Sequence, residues 1–383
     1  MYKKKDMIML GRKRVLLITS VGLFLICCGI TSAKEGFISL FNGEDLNGWR
    51  AIGTAGAFVV KNHSIYTTGT SPYPSWLCSN AKYENFVLHF EYMTDGWYEG
   101  GILLHAPVDG PTSKLGVKLH LRHDRKEYGL RSPGAIYDAA EPLAIANQPS
   151  GQWNQCEIVC DWPKLRITMN GTLIHDIDMN IHDVLKYRLR RGHIGIQNIG
   201  CRAYFRNIEI RTLPDKERWT NLFAKGMDGL RLVEETDWSL KGDLLTGKGK
   251  NGFAVTKQEF IGPFEFQVWA KTIINGNGGV HFYCQDNNHG IEVQCFNSPD
   301  STNPTGSLYG IAPAKRIASY DEQWFLLQVF ADGPNAMVLV NGERISETNA
   351  LKPPYKGGMA FQQHTPGSTI WYRGARVKEV KWR

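Results

Sequence analysis

The sequence lacks most of the devices that announce a function. Helical periodicity is nearly absent, and no CxxC pair occurs among the eight cysteines. No HxH or HExxH spacing marks a metal site. No GxSxG elbow, P-loop or glycine-rich phosphate turn is present, which removes nucleophile-elbow hydrolases and phosphate-cradling enzymes. Concentrated charge is missing as well. Of the net +7, the first 33 residues carry +5, which leaves +2 for the rest. Without a dense basic stripe, a nucleic-acid partner is excluded.

Long apolar runs are confined to the N-terminus. "MYKKKDMIMLGRKR" followed by "VLLITSVGLFLICCGITSA" has a basic front, an apolar run and a small-x-small end at Thr31-Ser32-Ala33. Residues 1–33 are therefore expected to be a signal peptide. A membrane anchor is the competing reading, and lipid attachment at Cys27 or Cys28 is the lesser alternative, since neither follows a small residue. The mature chain is expected to be exported, periplasmic or extracellular, with no membrane span after cleavage. Six cysteines then remain. Cys156 and Cys160 lie on one apparent strand, about 13 Å apart when extended, too far to bond. Buried free thiols are the expectation.

What the chain does have is a phrase spelled twice. "SLFNGEDLNGWR" near residue 40 returns as "NLFAKGMDGLR" at 221–231. "EGGILLH" is answered by "NGGVHFY", "GAIYD" by "GSLYG", "QWNQCEI" by "QWFLLQV", "GHIGIQN" by "GGMAFQQ" and "YFRNIEI" by "WYRGARV". The offset drifts while the order is kept, as loop insertions and deletions would produce. Two copies of one domain are expected, 37–213 and 218–383, joined by "LPDKER".

Each copy reads as strands. "FVLHFEYM", "GVKLHLRH", "NQCEIVCDW" and "KLRITMNG" alternate or run apolar for five to eight residues between Gly, Asn, Asp and Pro. "ITMNGTLI" and "VLVNGERI" are Asn-Gly hairpins suited to a type I′ turn. "HDVLKYRLRRG" is the one modest helix candidate. The fold class is all-β, two tandem antiparallel sandwiches of the jelly-roll type.

These motifs in this order, "SLFNGEDLNGW", "GNGGV", "IEVQ", "GAIY", "QWN", "IGIQ" and "FRNIEI", resemble the 3-keto-disaccharide hydrolase family, twice over. The resemblance implies a concanavalin-like jelly roll whose ligand lies on a concave sheet.

Strand parity sorts the side chains independently of the family. Residues i and i+2 share a face. In "GIEVQCF", Glu292 and Gln294 share one face and Ile291, Val293 and Cys295 the other. In "GGVHFYC", His281 and Tyr283 are expected to share a face, on a strand paired with the first. The first copy puts His105 at the Tyr283 place and Lys118 and His120 at those of Glu292 and Gln294, with Arg122 beyond. His105 and His120, with Glu99, offer nitrogen and oxygen donors to a divalent metal; no cofactor is otherwise implied.

The resemblance adds further residues. "FQQHTPG" carries a loose Gln-x-His pattern in Gln362 and His364, whereas the first copy keeps Gln197 and has Ile199 at the His place. Asn277 and Tyr309 also match, and Tyr137 is the first-copy counterpart of Tyr309. Glu91 resembles a family acidic position that is Trp269 in the second copy. Arg206 and Arg373 occupy matching places. The family implies cleavage of a glycoside already oxidised at C3. A base removes the acidified C2 proton, the C1 substituent leaves by β-elimination, and water adds back. Glu292 or His364 is the expected base, Arg373 or Gln294 or a metal the enolate stabiliser, and Tyr309 an acid or sugar-hydroxyl ligand. The rival enzyme mechanism needs two carboxylates, and each polar motif has only one. The main alternative is a non-catalytic tandem carbohydrate-binding protein, with Trp97 and Trp153 among its stacking candidates; a structural surface protein is the third class.

Overall fold

The computed structural model describes residues 36–70, 74–285 and 290–380. The expected signal segment, 1–33, lies outside the described residues. No helix among the described residues is long and apolar enough to cross a membrane.

The protein is all-β and antiparallel throughout. In the first half two sheets pack face to face. The smaller runs, edge to edge, Trp49–Ile52, Ser75–Tyr83, Gly192–Asn198, Glu99–Ala106 and Val117–Arg122. The larger is centred on Asn85–Thr94, paired with Asn154–Asp161 on one side and Arg202–Leu213 on the other. Strand alternation explains the layering. Asn154–Asp161 buries every second residue, as a sheet with one wet face requires.

The second half repeats the plan with one change. Its smaller layer runs Ile291–Cys295, Gly278–Cys284, Lys356–Gln363, then the C-terminal part of Leu244–Thr256. That last strand is 13 residues long. Its start pairs with Ser368–Glu379 and its end with Lys356–Gln363, so it turns from one layer into the other. Both Asn-Gly hairpins form as expected: Asn170 and Gly171 have φ of 50° and 79°, Asn341 and Gly342 of 52° and 78°. "HDVLKYRLRRG" does not form an α-helix; only the 3-10 turn Leu185–Tyr187 appears there. All six described cysteines are buried and free.

The halves meet along the outer face of the second half's larger layer. Leu115 and Leu189 pack on Leu326 and Trp269. The Tyr187 ring meets Phe330 edge-on at 5.2 Å. Lys378 sits between Glu217 of the linker and Glu265, 3.0 Å from the latter. This cover explains why Phe325–Asp332 is buried on both faces while its counterpart Asn154–Asp161 alternates.

Candidate functional site

The outer face of the smaller layer gathers most of the expected residues of the second half. Val280, Phe282, Val293 and Cys295 point into the core. Their neighbours therefore point out. Register aligns them in rows. Phe253, Gln362, Gly279 and Gln294 lie side by side, and the next row is Val255, Ala360, His281 and Glu292. The segment 306–309 extends the rows, since Gln294 N–H donates to Ser307 O at 3.0 Å and Tyr309 N–H to Glu292 O at 3.0 Å. At the strand ends, His364 N–H donates to Asn277 O at 3.0 Å, and the Asn277 amide and His364 ring approach to 3.5 Å.

Glu292 is the distinctive group. A Cβ built on Gly279 would meet Glu292 Oε1 at 2.9 Å and its Cγ at 3.1 Å, so the carboxylate lies across the bare glycine. This placement directs it toward the row of Gln294 and Gln362. Burial alone pushes its carboxyl from 4.5 up to about 7. Gln294 Oε1 accepts the Cys295 N–H, leaving Nε2 for a ligand, and Gln362 Oε1 is buried without a partner. From the core side, the Tyr372 hydroxyl lies 2.8 Å from Gly279 O and 2.7 Å from Gln362 O, tying the two strands under the site. The face is not wholly polar. Phe253, Val255, Cys284 and Ala360 form an apolar floor beside it. Tyr309 is 53% exposed at the margin.

The first half builds the same rows with other chemistry. Val117, Leu119 and Leu121 join the core, and Lys118 and His120 face outward. Trp76, Gln197, Gly101 and His120 form one row; Cys78, Gly195, Leu103 and Lys118 the next. Lys118 crosses Gly101 as Glu292 crosses Gly279, with its Cε 3.0 Å from the glycine's notional Cβ. Burial lowers Lys118 to about 8, against the opposing pull of Glu99 and Asp138. Burial, then Lys118 and Arg122, lower His120 to about 3. Glu99 lies 3.2 Å from Arg122 and 3.4 Å from His120. Tyr137 packs beside both, its ring 4.4 Å from Lys118 Nζ and 5.1 Å from the His120 ring.

Four expectations fail for identifiable reasons. Tyr283 does not share the face of His281. It has a φ of 60° at a register shift, and the bulge turns its ring into the core. His105 makes the same turn, with a φ of 52°. Its Nε2 meets Glu84 O at 2.7 Å, its ring packs on Phe86, and burial lowers it to about 4. His105 and His120 thus lie on opposite faces of the sheet and cannot share a metal. No group of three His, Cys, Asp or Glu suited to a metal occurs among the described residues. Arg373 belongs to the other layer, where it pairs with Asp109 of the first half and stacks 4.1 Å over Trp324. Glu91 is likewise on the larger sheet, bound to Arg206 at 2.7 Å. Gly279, Gly101 and Tyr372 are what the sequence reading missed. A paired glycine in a strand interior was the available signal.

Residues 36–211 and 218–378 each match the 3-keto-alpha-glucoside-1,2-lyase-like domain. Among solved structures, the chain is similar to a candidate glycosyl hydrolase from Parabacteroides distasonis ATCC 8503, at 20% identity over 47% of this chain and 95% of that one, with a TM-score of 0.43. It is also similar to a carbohydrate-binding module from Bacillus subtilis, at 16% identity over 43% and 96% of the two chains, with a TM-score of 0.33. A Bacillus subtilis protein of unknown function with a galectin-like fold matches at 12% identity over 43% and 96%, with a TM-score of 0.35. No curated protein matches the chain. With both halves of its length matched, this chain belongs to the 3-keto-alpha-glucoside-1,2-lyase-like domain family.

Proposed function

We propose that the chain is an exported enzyme that cleaves 3-keto-glucosides, including 3-keto-disaccharides, by C2 proton abstraction, elimination and hydration, with net hydrolysis. The observation that carries this reading is the Glu292 carboxylate laid over Gly279 on a face lined by amides. A C3 ketone acidifies the C2 proton, because the carbanion delocalises as an enolate. A base that is half ionised near neutrality is suited to take it. Glu292, brought to about 7 by burial, meets that requirement. Gln294 Nε2–H, on the same face, can donate to the enolate oxygen, and a buried donor is worth more there than in water. Tyr309, whose backbone pairs with Glu292, would protonate the leaving oxygen. His364 and Asn277 close the end of the rows and would bind sugar hydroxyls, with His364 the second candidate base.

Mass spectrometry of 3-keto-disaccharides incubated with the mature chain tests the reading. Conversion by the wild type and its loss in Glu292→Gln support it. Sugar binding without turnover of any 3-keto-glucoside would replace it with the carbohydrate-binding alternative.

A further inference from the structure

Lys118 is a buried lysine with no direct ion pair; Glu99 and Asp138 act on it only from a distance. It is 5% exposed, yet among the described residues it forms no hydrogen bond or ion pair. Lys378, 6% exposed, shows what a structural buried lysine looks like here: it is held between the Glu217 and Glu265 carboxylates. Lys118 instead crosses Gly101 and lies against the Tyr137 ring. Beside it, His120 is fully buried with neither ring nitrogen in a hydrogen bond of ordinary geometry, its nearest charged neighbour being Glu99 at 3.4 Å, and the buried Gln197 Oε1 has no partner. Such orphaned polar atoms on a sheet's outer face mark a place where a ligand completes the bonding.

We propose that Lys118 is a nucleophilic amine that forms a Schiff base with the ketone of an oxidised sugar, making the first half a second reactive site. The keto-sugar substrate class rests on the function proposed above; the amine chemistry is independent of Glu292. The local charges favour a neutral ligand over an acidic one. Arg122 is paired with Asp124 and Glu99, and Arg131 with Asp138. Lys118, Arg122 and Arg131 are thereby balanced by three carboxylates, so an added anion has no net positive field to enter. Burial holds much of the amine unprotonated near pH 8, as a nucleophile requires.

The step balances without a redox partner. The Nζ lone pair adds to the carbonyl carbon, the oxygen gains a proton and the nitrogen loses one, giving a carbinolamine. Loss of its hydroxyl as water leaves a C=N bond. Once protonated, that bond draws electrons from the neighbouring C–H more strongly than the ketone does. Addition of water returns ketone and amine.

The test is reductive trapping on the full chain. Methyl 3-keto-glucoside and, separately, dihydroxyacetone are incubated with the protein and sodium cyanoborohydride at pH 7, followed by peptide mass spectrometry. A pKa near 8 against 10.5 gives about 10²-fold more free amine than an ordinary lysine at that pH. The expected result is a reduced adduct on Lys118 at least about tenfold above any other lysine. It rises with pH through about 8 and is absent in Lys118→Arg. Labelling spread over exposed lysines, or none at Lys118, overturns the proposal even if 3-keto-glucosides are turned over. A Lys118-dependent affinity for glucuronate without adduct also overturns it, in favour of an acidic-sugar site. Adduct formation by dihydroxyacetone without any glycoside turnover sustains the amine while refuting the elimination reading.

Discussion

Replacing Glu292 by Gln should make the protein more stable at high pH while abolishing its activity. The sign follows from linkage. The folded carboxyl titrates at about 7 against an ordinary 4.5. The folded state therefore binds this proton more tightly than the unfolded state. The stability associated with it is fully present below 4.5 and is lost as pH rises to about 7. The gap corresponds to about 3 kcal/mol. Part of the carboxylate still meets water, so about 2 kcal/mol is the expected cost of ionising it in place. Gln keeps the shape and has no charge to bury. Urea unfolding of both proteins should give near-equal stabilities at pH 4.5 and an advantage of about 2 kcal/mol for Glu292→Gln at pH 8, with turnover reduced by at least about 10²-fold. A difference independent of pH, or a variant less stable at pH 8, would refute the claim that burial holds this charge at a cost.

Three other substitutions probe the geometry. Gly279→Ala places a methyl 2.9 Å from Glu292 Oε1 and should lower kcat by about tenfold or more with the circular dichroism spectrum unchanged, because the carboxylate must swing off the row. Arg373→Ala should keep turnover close to wild type while lowering the unfolding midpoint, by about 1–2 kcal/mol in stability, since that side chain joins the halves through Asp109 and Trp324 rather than facing the site. Gly171→Ala and Gly342→Ala share a positive φ, but only the second meets backbone, Lys114 O at 3.0 Å. Unfolding should show about 1 kcal/mol lost in the first and a larger loss in the second.

The alternation Ile291, Glu292, Val293, Gln294, Cys295 was readable because an unbroken strand has a strict period of two. The same reasoning failed at Tyr283 and His105, where one residue at positive φ reverses the parity. Neither is glycine or asparagine, so nothing in the residue type announces the bulge. Parity also cannot say which of two sheets a strand joins. Arg373 alternates correctly on its own strand yet faces the other half of the chain, a relation set by long-range packing. The repeat, the hairpins and the buried thiols were legible because each is a local pattern. That Glu292 and Lys118 stand at one place in the two halves was readable from the repeat; that each lies across a bare strand glycine emerges only from the packing of neighbouring strands.

The central claim is that the C2 proton is removed and later replaced from water. Its most direct measurement is turnover of a 3-keto-disaccharide in D2O, with the released 3-keto sugar analysed by NMR against an enzyme-free control. The account predicts one deuterium at C2 of every released 3-keto sugar, formed at a rate that falls with Glu292→Gln. Released sugar that keeps its original C2 proton would contradict it and assign the cleavage to direct displacement at C1.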